Sequence, residues 1–121
     1  MSQLSDSLRA QIERGRRITA LEYQTALARI PQLIEGFARL FERYDAILTP
    51  AAAGTAPRGL ESTGSPMFCT LWTLAGMPAL SMPLMQGANG LPLGVQFVGA
   101  RGNDARLLRT ARWLATRVGA S

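Results

Sequence analysis

A chain of 121 residues with 47% hydrophobic and 17% charged residues has the composition of one globular domain rather than of a disordered protein. It contains no His, and all 13 basic residues are Arg, which excludes Ser-His-Asp, Cys-His, Ser-Lys, Schiff-base lysine and P-loop sites. The formal net charge of +5 raises the question of nucleic acid, but the arginines are spread from Arg9 to Arg117, which argues against such a partner.

The first predicted element is a short polar helix over Ser5–Arg14, which Gly15 should end. Thr19 and Glu22 then have the spacing of a capping box, in which the Thr hydroxyl accepts from an early backbone N–H and the Glu carboxylate reaches back to the Thr N–H. The pattern therefore predicts that a second helix begins just after Thr19.

This second helix is predicted over residues 20–44, because apolar side chains recur at spacings of three and four. Pro31 lies inside it and should kink or divide it, since proline lacks the backbone donor. The recurring residues predict a single buried face, which carries Tyr23, Leu27, Ile30, Ile34, Phe37, Phe41 and Tyr44.

The second half of the chain begins with a short apolar strand, Ala46–Thr49, ended by Pro50. Residues 51–66 are rich in Ala, Gly, Pro, Ser and Thr and predict a long loop. A short helix is predicted over Pro66–Ala75, with Gly76 as its stop. Its buried face is predicted to carry Phe68, Leu71, Trp72 and Ala75.

Two apolar strands follow, Ala79–Met85 and Leu93–Val98. Their connection is too short for a helical crossover, so the pair should be antiparallel, with Asn89 and Gly90 supplying the positive φ angles of a tight turn. Pro83 cannot donate to a ladder, which places the first strand at a free edge or bulge and the second toward the sheet interior. Both runs are apolar at adjacent positions, which predicts burial on both faces.

The last predicted helix is capped by Asn103, has Asp104 in its first turn and ends at Gly119. Its apolar side is predicted to carry Leu107, Leu108, Ala111, Leu114, Ala115 and Val118. The order of elements indicates an α/β fold of about three strands flanked by helices. We expect a single domain over residues 1–121, with a helical part (1–44) and a strand-loop-helix-hairpin-helix part (45–121).

Several segments together resemble one enzyme family. They are D-A-I-L-T-P at 45–50, the loop with Ala56-Pro57, residues 68–72, G-M-P-A-L-S-M-P at 76–83, G-L-P-L-G-V-Q-F-V-G at 90–99 and D-A-R-L-L at 104–108. In this order they resemble the C-terminal segment of the amidase signature family, which includes the glutamyl-tRNA amidotransferase A subunit and fatty-acid amide hydrolase. The resemblance implies a larger fold with a mixed central sheet, of which this chain is a part, and hydrolysis of carboxamides.

The chemistry of that family resembles a Ser–cis-Ser–Lys triad with an oxyanion hole in a Gly/Ser-rich loop. No segment here resembles that loop, and the sequence has no Lys, so no catalytic residue is assigned. The resemblance therefore implies a chain that is inactive alone. Its expected partner is the N-terminal catalytic portion of an amidase or a second copy of itself, and an amide is a substrate only of the complete enzyme.

The resemblance also places the segment from Pro66 to Trp72 near the acyl pocket of the family, which makes Phe68, Cys69 and Trp72 candidates for the pocket wall. The alternative is that both aromatic residues anchor the core. Gln96 is a polar residue in an apolar strand, so its amide should be tied to a loop or neighbouring backbone. Asp45 should cap its strand or pair with an Arg.

A second reading of the chain is a small basic interaction module that associates with itself or with a partner. The single Cys69 cannot form an internal disulfide, which favours a reducing, cytoplasmic location. One Cys, no His and 8 dispersed carboxylates do not predict a metal site, and no cofactor is expected. No apolar run approaches the ~20 residues of a membrane span, so no membrane partner is expected.

Overall fold

A computed structural model describes residues 4–118, which divide into two compact units, 4–32 and 33–118. The end predicted for the last helix, Gly119, lies outside the described residues. No helix among the described residues is both long enough and apolar enough to cross a membrane. The elements are α1 (Asp6–Arg16), α2 (Ala20–Phe41), β1 (Ile47–Pro50), α3 (Met67–Ala75), β2 (Ala79–Gln86), β3 (Pro92–Val98) and α4 (Asp104–Val118).

Helix α1 begins at its N-cap Ser5, whose hydroxyl accepts from the backbone N–H of Leu8 at 3.4 Å. The prediction that Gly15 ends this helix is wrong, because α1 continues to Arg16. Gly15 does not adopt a positive φ, so it lies in the helix as an ordinary, weakly helix-forming residue.

The capping box at the start of α2 is confirmed. The backbone N–H of Thr19 donates to the Glu22 carboxylate at 2.8 Å, and the backbone N–H of Glu22 donates to the Thr19 hydroxyl at 3.2 Å. The hydrogen bond from the Thr19 backbone, followed by that from its hydroxyl, lowers the pKa of Glu22. The two residues therefore satisfy backbone donors that would otherwise lack a partner.

Helix α2 is continuous through Pro31, so the predicted division of this helix is wrong. Proline removes one backbone donor, the N–H that would have bonded the carbonyl of Leu27, and α2 tolerates this loss without ending. The predicted apolar face is buried only toward its end, where Phe41 joins the core and Ile34 and Phe37 pack against it. Tyr23 remains 56% exposed.

The three strands form one antiparallel sheet in the order β1-β3-β2. Phe97 of β3 lies opposite Leu48 of β1 and Leu80 of β2. This arrangement confirms the antiparallel hairpin, with β3 inside the sheet and β2 at an edge. The register shifts between Met82 and Met85, around Pro83, as expected for a residue that cannot donate to the ladder.

Successive side chains of β3 project from opposite faces of the sheet, so Val98 faces one way and Phe97 the other. Val98 belongs to a core cluster with residues of α2, α3 and the segment after α3. Its buried members are Phe41, Trp72, Ala75, Met77 and Val98. Helix α4 lies against β2 and β3, and its buried Leu107 and Ala111 lie outside this cluster, which places α4 on the Phe97 face.

Burial on both faces is observed for the end of β3 but not for β2, so that part of the prediction is wrong. Exposed and half-buried residues alternate along β2. β2 is an edge strand with β3 as its one neighbouring strand, and α4 packs against it. On the predicted apolar side of α4, Leu107 and Ala111 are buried, whereas Leu108 and Val118 are 58% and 43% exposed. The close approach of α4 requires Gly99, where a Cβ would lie 2.9 Å from the Leu107 Cβ.

The loop of the hairpin depends on one glycine. Gly90 has a φ of +78°, whereas no residue other than glycine has a positive φ in the described chain, so the predicted contribution of Asn89 is wrong. Asn89 instead holds the loop through its side chain, which donates to the Thr55 hydroxyl at 3.0 Å and accepts from the Leu91 N–H at 3.2 Å.

Gly90→Val should lower the free energy of unfolding by about 1 kcal/mol or more, because a β-branched residue is strained at a positive φ. No atom lies within 4 Å of the added Cβ, so the effect would come from the backbone alone. Gly54→Val is the matched control, since its surroundings are equally open and its φ is not in that region. Equal urea midpoints for the two variants would contradict the expectation.

Candidate functional site

Gln96 is the centre of a buried polar contact between the sheet and α3. It is 4% exposed, and its side-chain N–H₂ donates to the Thr49 hydroxyl at 3.0 Å and to the Phe68 carbonyl at 2.8 Å. Thr49 faces the same side of the sheet because it is paired with Gln96 in the β1·β3 register. A single amide therefore fixes the first turn of α3 to two strands.

Cys69 lies at the rim of this contact. Its thiol is 3.8 Å from the Gln96 Oε1 and 3.9 Å from the carbonyl oxygen of Ala51, and the residue is exposed. With Pro66, Thr70, Thr73 and Leu74 it lines an open depression of about 380 Å³.

The neighbouring hydroxyls do not activate this thiol. Thr70 donates to the Pro66 carbonyl at 2.9 Å, and Thr73 donates to the Cys69 carbonyl at 3.0 Å, so both are engaged with the helix backbone. No general base lies in the depression among the described residues. The arrangement offers a binding surface and no nucleophile–base pair.

The three residues predicted to form a pocket wall lie in different places. Trp72 is 7% exposed and packs edge-on against Phe37, with ring centroids 5.4 Å apart. Phe68 is half-buried. Of the three, Cys69 lines the depression described above, and the two aromatic residues do not. Helical spacing accounts for the difference, because residues four apart share a face, whereas Cys69 is displaced from Phe68 by a quarter of a turn.

Asp45 pairs with Arg106 of α4. Its Oδ1 lies 2.8 Å from both the Nε and the Nη2 of that guanidinium, whose Nη1 donates to the Phe41 carbonyl at 3.3 Å. The side chains of Arg106 and Asp45 are 36% and 65% exposed, so the pair positions α4 more than it stabilises the fold. The sequence indicated an Arg partner for Asp45 but not which one, because the two residues are 61 positions apart.

A family model described as Amidase matches residues 1–108, most of the chain. The chain belongs to the amidase family. One relative is AmiD of Mycobacterium tuberculosis (strain ATCC 25618 / H37Rv), which is named as an amidase. It is 35% identical to this chain over 112 residues, and the match covers 84% of this chain and 24% of AmiD. The glutamyl-tRNA(Gln) amidotransferase A subunit of Agathobacter rectalis is 36% identical over 97 residues, 74% of this chain and 19% of that protein.

Solved amidase-family structures share the fold. A crystal structure of an amidase aligns over 96% of this chain with a TM-score of 0.78 and 28% identity. The glutamyl-tRNA(Gln) amidotransferase A subunit of Thermotoga maritima aligns over 88% with a TM-score of 0.61 and 28% identity. This amidase-family chain covers only 29% and 26% of those two structures, so it corresponds to about a quarter of the proteins that it matches.

Proposed function

We propose that this chain forms the C-terminal part of a carboxamide-hydrolysing amidase and that the Ser–Ser–Lys residues are contributed by a different segment or chain. The family match over residues 1–108 carries the proposal. The absence of Lys from the 121 residues supports the proposal that another segment or chain contributes the catalytic residues, because a Ser–Ser–Lys site needs a lysine base.

Within such an enzyme, the depression beside Cys69 is the best candidate for a contribution to the substrate pocket. Cys69 and the half-buried Phe68 lie on the first turn of α3, which Gln96 holds in place. Trp72 acts in this proposal as a core anchor behind that surface. The single exposed thiol fits a reducing, cytoplasmic setting.

The isolated chain should release no ammonia from small aliphatic or aryl amides, because its described thiol and hydroxyls lack an activating base. Cys69→Ala serves as the control, and its background rate should equal that of the unmodified chain and of buffer. Co-expression with a polypeptide carrying the Gly/Ser-rich signature and its lysine should restore turnover. Ammonia release by the isolated chain that survives purification and is lost in Cys69→Ala would contradict the proposal.

A partner, which is either the catalytic portion of an amidase or a second copy of this chain, should cover two surfaces. In residues 4–118 the outer edges of β1 and β2 have no neighbouring strand. Along α2, Tyr23 is 56% and Leu27 is 38% exposed. A twofold contact would bury such a face twice.

The isolated chain should therefore self-associate. Sedimentation velocity at several concentrations should show a rising average mass, and Leu27→Glu should lower it by placing a charge on the face. The exposed Glu13→Gln is the control. A monomer at high concentration that also fails to bind an apolar dye would count against self-association.

A further inference from the structure

Helix α4 carries a basic and aromatic surface that the proposed amide hydrolysis does not use. Its residues recur at spacings of three and four and therefore share one face of the helix. They are Arg106, Arg109, Thr110, Trp113 and Arg117. Together with Asp45, the first four line an open depression of about 400 Å³, here called the Trp113 depression.

The positive charge of the second unit is concentrated on this helix. Residues 33–103 contain four arginines and four carboxylates, whereas α4 contains four arginines and only one carboxylate, Asp104. Asp45 neutralises Arg106. Among residues 4–118, Arg109 and Arg117 have no carboxylate within ion-pair distance. Within the described part of the chain, two positive charges next to the depression therefore have no negative partner.

Trp113 gives the depression its second property. The residue is 57% exposed, and the Arg117 guanidinium lies 5.5 Å from the centroid of its ring. Arg109 is one turn before the indole and Arg117 one turn after it. An exposed indole stacks on flat rings, and guanidinium groups bind phosphate oxygens through two parallel N–H donors.

We propose that the Trp113 depression binds a small phosphate ester that carries a planar aromatic ring. The dianionic phosphate complements the charges of Arg109 and Arg117, and the ring lies against Trp113. The family model stops matching at residue 108, so these three residues lie beyond the part of the chain that it describes. The proposal does not depend on the amide hydrolysis proposed above.

The test is a titration of the full chain with phenyl phosphate, followed through the indole N–H resonances in a ¹⁵N correlation spectrum. The Trp113 resonance should shift in a saturable way, while that of the buried Trp72 serves as the internal reference. Inorganic phosphate should bind at least about tenfold more weakly than phenyl phosphate, because it lacks the ring. Phenol should not bind, because it lacks the phosphate.

Arg109→Gln should weaken phenyl phosphate binding by about tenfold or more, as expected for the loss of a charge-assisted contact. Arg112→Gln is the matched control, since it removes the same charge from the same helix but lies off this face, and it should change the affinity by less than about twofold. Both residues are exposed, so both variants should retain the circular dichroism of the unmodified chain. Equal losses in the two variants, phenol binding as tight as phenyl phosphate, or no saturable shift of Trp113 would overturn the proposal.

Discussion

Phe97→Ala is expected to lower the free energy of unfolding by about 3–5 kcal/mol, the range observed when a buried aromatic residue is truncated to alanine. Phe97 is 1% exposed and lies in the central strand, so neighbours from β1, β2 and α4 would have to collapse together to fill the space. Since domains of this size are stable by only about 5–15 kcal/mol, the change would remove a large part of the total.

Leu48→Ala is the matched control for this measurement. Leu48 lies opposite Phe97 on the same face of the sheet but is 57% exposed, so its truncation should cost less than about 1 kcal/mol. Urea unfolding of the two variants, followed by far-ultraviolet circular dichroism, gives the comparison. Similar urea midpoints for the two variants would show that Phe97 is not tightly packed between the sheet and α4.

Gln96→Leu should lower the free energy of unfolding by about 2–3 kcal/mol despite the similar size of the new side chain. The substitution leaves the Phe68 carbonyl and the Thr49 hydroxyl without the donor that now satisfies them, and a buried polar group without a partner costs about 1–3 kcal/mol. Thr49→Val removes only one of the two contacts, and its cost should be about 1 kcal/mol.

A second readout separates this contact from general packing. If Gln96 holds the start of α3, the amide hydrogens of Cys69 and Thr70, which now bond the Pro66 carbonyl, should exchange faster in Gln96→Leu. The exchange rates of the amide hydrogens in α4 should rise only as much as the lower global stability of the variant requires. Unchanged exchange at Cys69 and Thr70 in a destabilised variant would assign the loss to the sheet alone.

Local patterns in the sequence identified most elements because their causes are local. The Thr19–Glu22 capping box is confirmed by its two reciprocal hydrogen bonds, and α3 ends as predicted at Gly76, which adopts a φ of +62°. The short connection between β2 and β3 required an antiparallel hairpin, and Pro83 marked its irregular edge. The ordered family-like segments also identified the amidase family, which the match over residues 1–108 confirms.

The same local patterns failed where an outcome depended on neighbours in space. Hydrophobic spacing predicted a fully buried face on α2 and full burial of β2, yet Tyr23 is exposed and β2 is half-covered. Periodicity specifies which side chains share a face, but the elements that lie against that face decide whether it is buried. Pro31 likewise predicted a kink or a division of the second helix, and the division is wrong because α2 is one continuous helix.

The sequence by itself determined the family, the order of elements, the hairpin and the absence of a lysine base. Only the tertiary structure decided which groups meet: Gln96 with Thr49 and Phe68, Asp45 with Arg106, and Trp72 with the core while Cys69 faces outward. These pairs are distant in the chain, and their contact depends on strand register and on the placement of α3 and α4 on opposite faces of β3. No local pattern encodes that placement, because it results from the packing of all the elements together.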